Sequence, residues 1–196
     1  MEARAQPHGV HEHHAPLPTS GRALDLVALN ATLHCLTGCA IGEVTGVVIG
    51  TALGFSDWGT VALAIALAFL FGYTLTSLPL LRAGLALSTV VPIALAVDTL
   101  SIAIMEIVDN AIILGIPGAM EAGLGAHLFW GSLAIALAIA GVFAYPAQRW
   151  MITKGRGHAV LHETGIHGGP SPKLVGAIAV IAFVYGAIVL IAELLG

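Results

Sequence analysis

The chain has 196 residues, of which 58% are hydrophobic and only 9% charged, with a mean hydropathy of +0.96. That composition excludes a soluble globular domain and calls for lipid as solvent. The net charge of −4 comes from a handful of groups and offers no surface for nucleic acid.

Taken in chain order, residues 1–30 read as a flexible arm carrying Arg4 and the histidines His8, His11, His13 and His14, without the apolar stretch of a cleavable signal peptide. Five apolar runs follow: Ala31 to Gly54, Trp58 to Leu78, Val91 to Gly115, Ala126 to Ala147 and Leu174 to Leu195. Each is about long enough to cross a bilayer. In lipid each must be a helix, because a spanning segment has to satisfy its own backbone hydrogen bonds. Ser56-Asp57 closes the first run, Pro79 the second and Ile116-Pro117-Gly118 the third, while Pro92 fits a helix start. The expected fold is an all-α bundle of five transmembrane helices. Residues 31–147 form a four-helix core, 148–172 a histidine- and glycine-rich loop, and 173–196 a fifth helix.

Arg4, Arg22, Arg82, Arg149, Lys154, Arg156 and Lys173 are all the basic residues, and every one falls on the N-terminal side of the alternating spans. The opposite loops contain Asp57 and Glu121 and no base. The positive-inside rule then predicts a cytoplasmic N-terminus in a plasma membrane. No 20–50-residue repeat or inverted repeat is visible, which weighs against a conventional alternating-access carrier.

The chemistry lies inside the spans. The first carries His34-Cys35-Leu36-Thr37-Gly38-Cys39 and then Glu43. Spacing by four puts Cys35, Cys39 and Glu43 on one helix face, with His34 beside them. Thiolates and imidazole together suit Cu(I) or Zn(II). The plainer reading is that both cysteines are small buried hydrophobes. Gly38, Gly42, Gly46, Gly50 and Gly54 give the same helix a four-residue glycine period, a glycine zipper that admits a partner backbone.

The third span holds Asp98, Ser101, Met105, Glu106, Asp109 and Asn110. A carboxylate at a helix centre costs about 2.5–3.5 kcal/mol, so Glu43, Asp98, Glu106 and Asp109 together represent on the order of 10 kcal/mol if left uncompensated. No Lys or Arg lies within a span to pair with them. The acids therefore hold protons, face internal water or surround a cation; hydrogen bonding among themselves to glue helices is the structural alternative. His127 and Trp130 begin the fourth span, where an interfacial role competes with a place near the level of Asp109. His158, His162 and His167 add a second histidine tract, of a kind that can gather metal or simply stay solvated.

The segments His34 to Glu43, Asp98 to Asp109 with its Met105-Glu106-Ile107-Val108-Asp109-Asn110 core, and Leu128-Phe129-Trp130-Gly131-Ser132 carry a likeness. From Ala31 to His158 the chain resembles a family of bacterial membrane proteins known only as a domain of unknown function. The resemblance implies a four-helix membrane core and hints at an association with copper proteins.

The expectation is a membrane protein that binds a transition metal ion, copper before zinc, for transport, storage or delivery. The candidate ligands are His34, Cys35, Cys39, Glu43, Asp98, Met105, Glu106, Asp109 and His127. One alternative is a thiol oxidoreductase exchanging electrons between Cys35/Cys39 and a quinone, although helical cysteines four apart rarely meet disulfide geometry. Another is an accessory subunit whose buried acids bind a membrane partner or a second copy.

Overall fold

The long apolar runs form helices longer than the runs themselves, because their polar ends continue the backbone ladder before a cap stops it. The computed structural model describes residues 20–157 and 171–195. Within these, α1 spans Gly21–Leu53, α2 Asp57–Arg82, α3 Leu87–Gly115, α4 His127–Thr153 and α5 Pro172–Leu195. There is no strand among the described residues. All five helices are long and apolar enough to cross a membrane, and the chain is a multi-pass membrane protein. The histidines of residues 1–19 and those at 158, 162 and 167 lie outside the described residues.

Helix ends follow local chemistry. Ser56 Oγ accepts from the Gly59 amide at 3.2 Å and starts α2. Gly54 takes a left-handed conformation, φ 69°, and its N–H turns back to the carbonyls of Gly50 and Thr51, ending α1. Several boundaries differ from the sequence expectation. Pro79 and Pro92 lie inside α2 and α3, each near a helix end where neighbouring turns are already incomplete. The first helix begins at Gly21, so only the residues before it remain candidates for an arm. Leu24 and Ala28 are buried there, and Asp25 Oδ1 accepts from Arg149 Nε at 2.8 Å and from Tyr145 Oη at 3.3 Å. Arg149 belongs to the part of α4 that runs past Ala147 to Thr153, where Gln148, Met151 and Ile152 are buried.

The helices pack antiparallel in sequence, α1 against α2 and α4, α2 against α3, α3 against α4, and α4 against α5. The α1–α2 seam shows how. A Cβ added at Gly38 meets Gly72 Cα at 2.8 Å, one at Gly42 strikes the backbone of Ala68, one at Gly46 strikes Ala64, and one at Gly50 meets Thr60 Oγ1 at 2.5 Å. As one helix ascends by four residues the other descends by four, so every glycine of the period except the terminal Gly54 is matched to a specific position on α2. The remaining interior is lined by four-spaced small or polar residues on α4: Ser132, Ala136, Ala140, Ala144 and Gln148, all buried. Large apolar side chains such as Leu70, Ile107, Val142 and Phe143 point outward, where lipid replaces the water that such a surface could not meet.

α5 touches the bundle mainly through α4. Its Gly186 lies over the Gly131 carbonyl, and Gly131 faces Val189.

The seam makes a direct prediction. Gly42→Ala forces backbone against backbone and is expected to cost about 1–3 kcal/mol or more, whereas Gly115→Ala, with nothing within 4 Å of the added carbon, stays within about 0.5 kcal/mol. Thermal unfolding in detergent, followed by loss of the monodisperse peak in size exclusion, separates the two.

Candidate functional site

Two helices bring most of the polar groups to the axis of the bundle. On α1, Cys35, Cys39 and Glu43 are buried along the inner face. On α3, Asp98, Ser101, Met105, Glu106 and Asp109 are buried. Because α1 and α3 run in the same direction, their polar residues meet in matching order.

At the level nearest the basic end, a network crosses four helices. Cys35 Sγ donates to Asp98 Oδ1 at 3.7 Å. Gln148 Nε2 donates to Cys35 Sγ at 3.3 Å and to Ser101 Oγ at 2.8 Å. Asp98 also engages Thr76, whose Oγ1 lies 3.1 Å from His34 Nε2. His34 thus joins the cluster through α2. A thiol and an amide hydrogen-bonded inside lipid form a fixed packing element, since each group would be costly if left unmade.

One level further along, Cys39 Sγ and Met105 Sδ are 4.0 Å apart, both fully enclosed. The Glu106 carboxyl lies alongside the Cys39 thiol and engages it, and its oxygens have no other hydrogen-bond partner among the described residues. Both cysteines are free thiols.

Beyond this, Glu43 and Asp109 lie alongside each other at the floor of a cavity of about 340 Å³. The cavity extends to the loops at the end opposite the basic residues, where Phe55, Asp57, Met120 and Glu121 line it. Its walls carry four acids and no Lys or Arg.

His127 is placed elsewhere: its Nδ1 sits 2.8 Å from Tyr185 Oη on α5, and the ring lines no part of the cavity. The structure thus brings together eight of the nine expected ligands in three successive layers and leaves His127 at the α4–α5 contact. Among the described residues, no three side chains drawn from His, Cys, Asp and Glu are arranged to hold one metal ion. The Cys39 layer offers two of those types, Cys39 and Glu106, with the Met105 thioether as its third donor.

Residues 26–157 match the family described as Domain of unknown function (DUF4396). The chain belongs to that family. The match takes in α2 and α3 whole, nearly all of α1, and α4 to its end, so the DUF4396 segment contains every residue of the three layers and excludes α5. No curated protein and no solved structure matches the chain.

Two participants were not legible as site residues in the sequence. Gln148 lies just beyond the apolar run that ends at Ala147, and Thr76 is one of several hydroxyl residues in the second run. The signal for Gln148 was its place at the end of the four-residue series from Ser132.

Replacing Gln148 by alanine removes the donor to Cys35 and Ser101 and opens a void. A loss of about 1–3 kcal/mol is expected from the unmet polar groups, measurable as a lowered melting temperature, with Gln148→Glu doing worse than Gln148→Met because it adds a fifth acid to an interior without bases.

Proposed function

We propose that this DUF4396 protein binds a soft transition metal ion within the membrane, copper in its Cu(I) form before zinc, and that the ion reaches its site through the acid-walled cavity. The observation that carries this reading is the Cys39–Met105 sulfur pair, 4.0 Å apart in the closed core. Two sulfurs each about 2.3 Å from one ion at a tetrahedral angle are separated by about 3.8 Å, so the pair needs almost no movement to share an ion. Thiolate with thioether is a donor set that favours Cu(I), and Glu106 beside Cys39 supplies a hard third donor and charge.

Cys35 is the next sulfur along the axis, held by Asp98 and Gln148 and four residues from Cys39. It gives an ion a further station toward the basic end, in a sequence of layers suited to transport or delivery. The basic end is assigned to the cytoplasm and the cavity to the outside of the plasma membrane, because all the basic residues gather at one end.

Purified full-length protein is expected to retain about one equivalent of Cu(I) against a competing chelator. Cys39→Ser and Met105→Leu should each weaken that binding by tenfold or more, and the Cys35→Ser/Cys39→Ser variant should lose it. Equal copper in the wild type and in this double variant would end the reading.

Orientation is checked separately. A phosphatase that is active only outside the cytoplasm should work when fused after Gly196 and stay silent when fused in the loop after Arg82; the reverse pattern would turn the route around.

A further inference from the structure

The acid pair at the cavity floor has chemistry that the sulfur layer does not share. Glu43 and Asp109 are 6% and 3% exposed, yet both line the cavity. Both oxygens of Glu43 and Oδ1 of Asp109 have no hydrogen-bond donor among the described residues other than the partner carboxyl. Two carboxyls side by side, enclosed and with only each other, call for a shared proton or a cation between them.

Two neighbouring polar groups on the wall spend a hydrogen on the backbone. Ser132 Oγ donates to the carbonyls of Leu128 and Phe129, at 2.7 and 3.0 Å. Asn110 Nδ2 donates one of its hydrogens to the Glu106 carbonyl at 2.8 Å. The carboxyls of Glu43 and Asp109, the amide of Asn110 and the hydroxyls of Ser132, Thr51 and Thr60 make the polar lining rich in oxygen, the donor type of hard cations. Sulfur is absent from this layer apart from Met120 at the mouth. Asp57 and Glu121, exposed at the rim, add negative potential that concentrates cations at the entrance.

We propose that Glu43 and Asp109 form the floor of a binding site for one hard divalent cation, with the oxygens of Asn110 and Ser132 on its wall and entry from the Asp57/Glu121 end. Charge selects the valence, since two carboxylates are neutralised by a single divalent ion. Volume permits it to arrive hydrated: about 340 Å³ holds roughly ten waters at ~30 Å³ each, and a small divalent ion keeps several of its waters. The site stands on different residues from the sulfur pair and does not depend on it.

The test uses full-length protein in lipid nanodiscs with Mn²⁺ as the probe, read by the loss of the free-ion electron paramagnetic resonance signal. Wild type is expected to take up one saturable equivalent, displaced by excess Mg²⁺ or Ca²⁺, and to melt at a higher temperature when Mn²⁺ is present. Glu43→Gln/Asp109→Asn should weaken binding at least tenfold. The amides keep the shape of the acids and remove two buried charges, so this variant is expected to fold; the melting shift of the wild type supplies a readout that needs no variant. Cys39→Ser should keep its Mn²⁺ affinity within about twofold, so loss of copper binding and loss of Mn²⁺ binding are separate results. No saturable Mn²⁺ and no melting shift in the wild type, or unchanged Mn²⁺ binding in Glu43→Gln/Asp109→Asn, would overturn the proposal.

Discussion

Four carboxyl groups are enclosed in a bundle whose sequence has no lysine or arginine between residues 22 and 82 or between 82 and 149. Everything else in the interior is arranged around that imbalance. In water such groups would be solvated independently, but in a hydrocarbon setting each needs a hydrogen-bond donor, a proton, confined water or a cation. Asp98 meets the requirement with Cys35 and Thr76. Among the described residues, Glu106 has only the Cys39 thiol beside it, and Glu43 and Asp109 have only each other's carboxyl. These three stand on the side of the cavity, so the carboxyls with the fewest donors gather toward that end, while at the basic end Gln148 Oε1 also lacks a partner among the described residues.

Much of the fold was visible in the residues. Five apolar runs gave five helices, and the glycine period in the first announced a close backbone neighbour, which proved to be α2. The ends were less visible, because hydropathy measures where lipid is preferred and says nothing of where the helical ladder stops. Residues Gly21 to Asn30 read as part of an arm, ahead of the apolar run that begins at Ala31. They are helical because Leu24 and Ala28 are buried and Asp25 has Arg149 within reach.

The candidate site was legible in part for a similar reason. Spacing by four placed Cys35, Cys39 and Glu43 on one face, offsets of eight between Asp98 and Glu106 and of four between Met105 and Asp109 gathered those groups on one side of the third helix, and the parallel course of α1 and α3 set them opposite each other. Spacing within a helix does not reveal which level of one helix meets which level of the next, so the split into three layers had to come from the structure. His127 shows the same limit: its level resembled that of Asp109, but the ring turns to Tyr185. That contact links the family segment to α5, a helix that the sequence marked only by its apolarity.

The matched register of α1 and α2 has a mechanical consequence. A slide of one residue would bring larger side chains against the Gly38, Gly42, Gly46 and Gly50 backbone, so these two helices can only travel as a single strut. Relative movement within the four-helix core is then left to α3 and α4 against that strut. These are also the helices in which Pro92 and Pro146 each leave one backbone carbonyl without its rung of the ladder, on the side toward the basic end.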